Sequence, residues 1–374
     1  MRTTATTNEL APPAPEILLA ARRFVQSCHP RTALRRWPDA GPDIAGDVYV
    51  KCEDETDIKS FKGRGALWLL AGLEDRGPGA GVISATTGNH GQGVAYAAGR
   101  IGVRSVVVVP AGCSPLKMAK IRGLGAELRI SGADIAEANA AARQAADAEG
   151  LIYVEDGEDP ALMAGAATVG WEILEDLPEV ETIVVPVGGG NLIAGIALIA
   201  KRLKPSVRII GVQSDAAPAV TRSFEAGRVV ELPSETFAGG LATPFPGHLA
   251  FGVIRELVDD MCLVSEAELR REIRDSLVSR ATLIEGAAAA SFAALRRYGS
   301  SWQSRCTVLI QTGANISLPE LESVLAAERE GEPAVAPVTV APVTGSPVTG
   351  SPVTGSPVTG SPVTGAPVTM VGEG

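Results

Sequence analysis

Short apolar runs alternate with longer, alanine-rich stretches of helical period along most of the chain. The runs at 81–85, 105–110, 127–130, 151–154, 182–187, 207–213 and 306–311 are brief and nearly unbroken, the pattern of strands covered on both faces. Between them, 91–100, 115–124, 134–149, 161–175, 191–204, 266–280 and 286–298 predict helices. Such alternation predicts an α/β fold of open, mostly parallel sheets with helices on both faces. Residues 182–200 carry no charge and are nearly all apolar or glycine, which raises the question of a membrane span. Pro186 and the glycines at 188–190 interrupt any spanning helix, so a buried strand, a tight loop and a buried helix are expected instead.

The pattern stops at about Ala336. From there Pro-Val-Thr recurs every five residues, at Pro337, Pro342, Pro347, Pro352, Pro357, Pro362 and Pro367. Regular prolines block helix and sheet, and valine is almost the only bulky apolar side chain available to offset ordering entropy. A disordered, extended tail over 331–374 is predicted, without a catalytic role. Its hydroxyls could accept sugar or phosphate, and the repeat could serve as a ligand for peptide-recognition domains.

Length and charge narrow the class. A chain of 374 residues suits one catalytic unit of two lobes, and a net charge of −10 disfavours nucleic-acid or anionic-membrane surfaces. The five cysteines are scattered without close pairs, which predicts reduced thiols, no metal site and a cytoplasmic setting. The start of the chain has no basic segment followed by a long apolar run, so no export is expected.

Four stretches carry chemistry. Lys62 stands between Phe61 and the run Gly63-Arg64-Gly65, where an amine packed by an aromatic ring loses solvation and suits Schiff-base formation. Taken alone, it also reads as an exposed residue beginning an apolar helix. The run Thr86, Thr87, Gly88, Asn89, His90 lies between a predicted strand and helix, where amides and hydroxyls can hold a substrate carboxylate and Asn89 can bond a phenolic oxygen. His90 reads as a capping or core-satisfied residue ahead of a proton-transfer group. Gly188, Gly189, Gly190, Asn191 and Leu192 follow a strand and open a helix, which aims backbone N–H groups at one anion; they lack the lysine and hydroxyl ending of a nucleotide loop. Thr312 offers a neutral hydroxyl to a pyridine nitrogen, leaving it largely unprotonated and favouring β-elimination over transamination; alone it is an ordinary strand-end residue. Amine, carboxylate cradle, phosphate cradle and ring-nitrogen partner are together the parts of a pyridoxal 5'-phosphate site.

With these motifs in order, residues of about 15–325 resemble the fold type II pyridoxal-phosphate family of threonine and serine dehydratases and serine racemase. Ser60-Phe61-Lys62 matches the family's lysine motif, Thr87-Gly88-Asn89-His90 its Ser-Gly-Asn-His loop, and Thr312-Gly313-Ala314-Asn315 its ring-nitrogen motif. Gly188 to Leu192 corresponds to the tetraglycine loop with Asn191 in place of the fourth glycine, and the segment Leu283 to Ala287 resembles one that sets a glutamate, here Glu285, near the site. The resemblance implies a homodimer and a large cofactor-binding lobe over 1–79 and 154–330, with a small mobile lobe over 80–153. It further implies Lys62 and Thr87 as catalytic groups. Thr87 replaces a serine used for proton transfer in racemases, Ala166 replaces a usual glutamine, and Gln213 to Ala217 lacks the leading acid of a divalent-cation site. The expected reaction is dehydration and deamination of a small β-hydroxy amino acid such as serine or threonine to a 2-oxo acid and ammonia. Racemisation, or elimination from 3-hydroxyaspartate, a phenylserine or diaminopropionate, stays open.

Overall fold

Strands come first in order: β1 (Leu34–Arg36), β2 (Asp47–Cys52), β3 (Val82–Ala85), β4 (Ser105–Val109), β5 (Glu127–Ile130), β6 (Ile152–Tyr153), β7 (Thr182–Pro186), β8 (Arg208–Ser214), β9 (Asp260–Val264) and β10 (Cys306–Gln311). The helices are α1 (Pro15–Cys28), α2 (Lys62–Ala71), α3 (Asn89–Ile101), α4 (Pro115–Gly123), α5 (Ile135–Glu149), α6 (Pro160–Asp176), α7 (Asn191–Leu203), α8 (Ala219–Ala226), α9 (His248–Leu257), α10 (Glu266–Arg280), α11 (Gly286–Trp302) and α12 (Leu318–Ala326). The structure, a computed structural model, describes residues 11–73, 81–86, 88–155 and 159–326. These belong to a compact unit ending at Gly331; the Pro-Val-Thr repeat lies outside the described residues.

The strands form two sheets. One has six strands in the order β1-β2-β10-β7-β8-β9, parallel apart from the β1–β2 pair; the other has four parallel strands in the order β5-β4-β3-β6. Every predicted strand and helix is present. Every residue of β4, β7 and β10 is buried, as strands covered on both faces must be. Alternation divides them between two layers: Ile183, Val185, Val308 and Ile310 pack with α6, α7 and α9, while Val184 and Leu309 pack with α10 and α11 through Ile273, Phe292 and Leu295. Each such aliphatic or aromatic side chain contributes about 1.5–3 kcal/mol on burial.

Local signals set the helix ends. Asp134 accepts the N–H of Glu137 at the start of α5, which Gly150 closes in the left-handed region, and Ser265 with Glu268 forms a capping box on α10. Helices α2 and α6 meet at backbone distance, because a Cβ on Gly165 would stand 2.5 Å from the Arg64 carbonyl oxygen. Among the described residues no helix is long and apolar enough to cross a membrane.

Candidate active site

Parallel register sends the loops after β2, β10 and β7 out of the same edge of the six-stranded sheet, with β10 between the other two. The loop after β2 is then tied to the loop after β10. Ser60 bridges Gly313, the Phe61 N–H donates to the Thr312 carbonyl at 3.2 Å, and the Ala314 N–H donates to the Lys59 carbonyl at 3.0 Å. Lys59 adopts φ 56 to make this turn. Lys62 follows as the first residue of α2, its Nζ 5.5 Å from the centroid of the Phe61 ring. Thr312 is 3 % exposed, and its Oγ1 has no hydrogen-bond partner among the described residues. A buried hydroxyl so placed has the chemistry to meet a ring nitrogen.

The loop after β7 is shaped by glycine. Gly190 has φ +106, and a Cβ there would lie 2.8 Å from Ile254 Cδ1; one on Gly188 would lie 2.4 Å from the Gly240 carbonyl oxygen. A Cβ on Gly189 would meet nothing within 4 Å, so open space borders the loop there. Helix α7 starts at Asn191, whose buried Oδ1 is unpartnered among the described residues. Leu192 is 4 % exposed and packs in the core, which leaves only its backbone for the site. Free amides at a helix start beside open space suit a phosphate.

The loop after β3 carries the third group. Thr86 Oγ1 accepts the Gly88 N–H at 3.0 Å, so this hydroxyl shapes the turn. Asn89 opens α3; its Nδ2 donates to Glu285 Oε1 at 2.8 Å and its Oδ1 accepts from Asn315 Nδ2 at 2.8 Å. The buried His90 ring approaches the Val154 carbonyl at 3.4 Å, the core-satisfied arrangement. Thr87, the second expected catalytic residue, lies outside the described residues.

Glu285 is enclosed by protein atoms and keeps a part of its surface accessible. Burial raises its pKa, opposed by the hydrogen bonds from Asn89 and from the Asn315 N–H at 3.1 Å. Behind Lys62 is a cluster that the motifs did not announce. Arg64 donates to Glu53 at 2.7 and 2.9 Å, to Glu172 at 2.7 and 2.9 Å, and to Thr32 and Thr168 at 3.1 Å each. Lys51 donates to Glu172 at 2.6 Å and to the Thr32 carbonyl at 2.8 Å. Burial pushes the Glu172 carboxyl up, but Arg64 and Lys51 outweigh it and hold the pKa well below the usual carboxylate range. These buried groups clamp the first turn of α2 to β2 and α6. In the sequence, only a charged pair at the apolar end of a strand and an arginine between glycines hint at them.

The unpartnered Thr312 hydroxyl, the glycine cradle, the Asn89 amide and the Lys62 amine fit pyridoxal phosphate. The chain belongs to the family of pyridoxal-phosphate dependent enzymes, which it matches over residues 25–313. It is a lyase that depends on that cofactor. An L-threonine ammonia-lyase of Geobacter sulfurreducens is 41 % identical over 279 residues, spanning 74 % of this chain and 69 % of the relative. The catabolic L-threonine dehydratase of Escherichia coli is 36 % identical over 282 residues, 75 % of this chain and 86 % of that one. Among solved structures, the processed threonine deaminase isoform 2 of Solanum lycopersicum has a TM-score of 0.79 at 30 % identity, covering 85 % of this chain and 94 % of its own. Maize serine racemase has 0.79 at 28 %, covering 86 % and 98 %.

Proposed function

We propose that this enzyme deaminates L-threonine and related β-hydroxy amino acids, serine included, to 2-oxo acids and ammonia, the water lost in β-elimination being taken up again on hydrolysis. The observation that carries the reading is the junction of the Lys62 and Thr312 segments beside the glycine loop at 188–190, on one sheet edge. Relatives named for threonine at 41 % and 36 % identity support the substrate.

Bound pyridoxal phosphate supplies an electron sink beside the substrate's α-carbon. Lys62 would hold the cofactor through its Nζ and, as a free amine, would take the substrate's α-proton. Phe61 packs against Lys62, and the backbone of Gly188, Gly189, Gly190, Asn191 and Leu192 would receive the phosphate at the start of α7. Asn89 would bond the phenolic oxygen, and Thr312 would offer the ring nitrogen an uncharged hydroxyl. Thr86, Thr87, Gly88, Asn89 and His90 hold the substrate carboxylate at the start of α3, and Thr87 is a second catalytic hydroxyl. The β-hydroxyl leaves, and water hydrolyses the released product to the 2-oxo acid and ammonia. The segments around the four-stranded sheet, 80–153, form a small lobe that moves against the rest.

The enzyme is cytoplasmic, a reading supported by five cysteines free of disulfides. It is a homodimer, supported by Val278, 79 % exposed on α10, and Leu318, 63 % exposed on α12, two helices that pack together. Light scattering tests the stoichiometry.

The decisive assay gives the purified holoenzyme a panel of β-substituted amino acids and reads 2-oxo acid and ammonia. Threonine and serine are expected to turn over and Lys62→Ala to lose turnover; full activity in that variant refutes the assignment. Chiral analysis of recovered substrate distinguishes racemisation, which needs a proton donor opposite Lys62.

A further inference from the structure

We propose that Lys120, a residue of α4, is a positioning residue for the cofactor-facing amide of Asn89 and acts through Asn315. The Lys120 ammonium donates to Asn315 Oδ1 at 2.7 Å. Asn315 Nδ2 in turn donates to the Ile58 carbonyl at 2.8 Å and to Asn89 Oδ1 at 2.8 Å. Asn89 Nδ2 donates to Glu285 Oε1 at 2.8 Å, and Glu285 Oε2 closes the circuit by accepting the Asn315 N–H at 3.1 Å.

The two ends of this chain fix its direction. An ammonium only donates and a carboxylate accepting two N–H groups only accepts, so the two amides between them have one self-consistent orientation. Asn315 uses both Nδ2 hydrogens. Asn89 uses one on Glu285 and keeps the other for an oxygen of the bound ring. Reversing either amide would set oxygen against oxygen, and links of this kind polarise one another in a poorly solvated site.

Lys120 is also how α4 reaches this circuit. Ile121 is the one buried residue of that helix, which packs on α3 and β5. A second tie to the six-stranded side is Lys117, 3.7 Å from Glu320. Without a donor at position 120, Asn315 Oδ1 loses its partner in a half-buried setting, a cost larger than that of a neutral surface bond. The circuit then holds Asn89 less firmly.

The inference rests on the placement of Asn89 at the phenolic oxygen, so that placement has its own arm. Holoenzyme carrying Lys120→Met, Lys120→Gln, Lys120→Arg, Lys117→Met or Asn89→Leu is measured for the visible band of the bound cofactor against pH. Cofactor dissociation is measured by fluorescence, kcat and KM with threonine, and the melting midpoint of the cofactor-free protein serves as a check on folding. Lys120→Met is expected to weaken cofactor binding about tenfold, the factor that about 1.4 kcal/mol represents. It should move the band's pH midpoint in the same direction as Asn89→Leu and lower kcat more than it raises KM. Lys120→Gln should do less and Lys120→Arg least, while Lys117→Met leaves the band in place. If Asn89→Leu moves the band and Lys120→Met does not, or if Lys117→Met moves it equally, the role of Lys120 is refuted. An unmoved band in Asn89→Leu overturns the placement of Asn89 and the inference with it. Should Lys120→Met fail to fold, wild-type values in both Lys120→Gln and Lys120→Arg refute the proposal.

Discussion

Removing the Arg64 guanidinium should destabilise the protein heavily, and a second substitution should recover part of the loss. Arg64, Lys51, Glu53 and Glu172 are each 0–2 % exposed and carry two positive and two negative charges. Arg64→Met leaves Glu53 and Glu172 facing only Lys51, one uncompensated negative charge in the interior. Breaking a buried pair from one side costs about 3–5 kcal/mol, a large share of the roughly 5–15 kcal/mol by which proteins stay folded. At roughly 2 °C per kcal/mol for a unit of this size, the melting midpoint should drop by about 6–10 °C. Arg64→Met with Glu53→Gln keeps the 2.6 Å Lys51–Glu172 pair and restores neutrality, so the double variant should exceed the single one by about 1–2 kcal/mol. Denaturant unfolding of the cofactor-free protein measures both. A loss below about 1 kcal/mol in the single variant, or a double variant less stable than the single, refutes the charge argument.

Two further substitutions test the backbone around the site. Lys59→Gly should raise the melting midpoint by up to about 2 °C, because φ 56 strains a side-chain-bearing residue by more than glycine loses in chain entropy; a lower midpoint contradicts this. Gly190→Ala puts a Cβ 2.8 Å from Ile254 Cδ1 and 3.0 Å from Ala250 Cβ at φ +106. It should weaken cofactor affinity at least about fivefold by fluorescence titration, through about 1–3 kcal/mol of overpacking beside the phosphate loop, and an unchanged titration curve refutes the cradle.

Periodicity alone determined the α/β class and seven of the strands, since continuous Val and Ile runs such as Ser105–Val109 and Thr182–Pro186 can be satisfied only between two helix layers. It missed β2, whose buried Lys51 looks polar along the chain, β1, too short to show a period, and β9, which opens on an exposed aspartate. The motifs at 60–62, 188–192 and 312–315 were also legible, because an amine, a glycine-shaped helix start and a strand-end hydroxyl are local features. Tertiary structure alone decided the rest. The strand order put β10 between β2 and β7 and so joined Ser60 to Gly313, and it balanced Arg64 against Glu53 and Glu172, residues 11 and 108 positions away. Lys120 likewise acquired Asn315, 195 positions on. Hydrophobic period records which face of an element is buried; the partner of a buried charge depends on which elements pack together, and no local pattern encodes that.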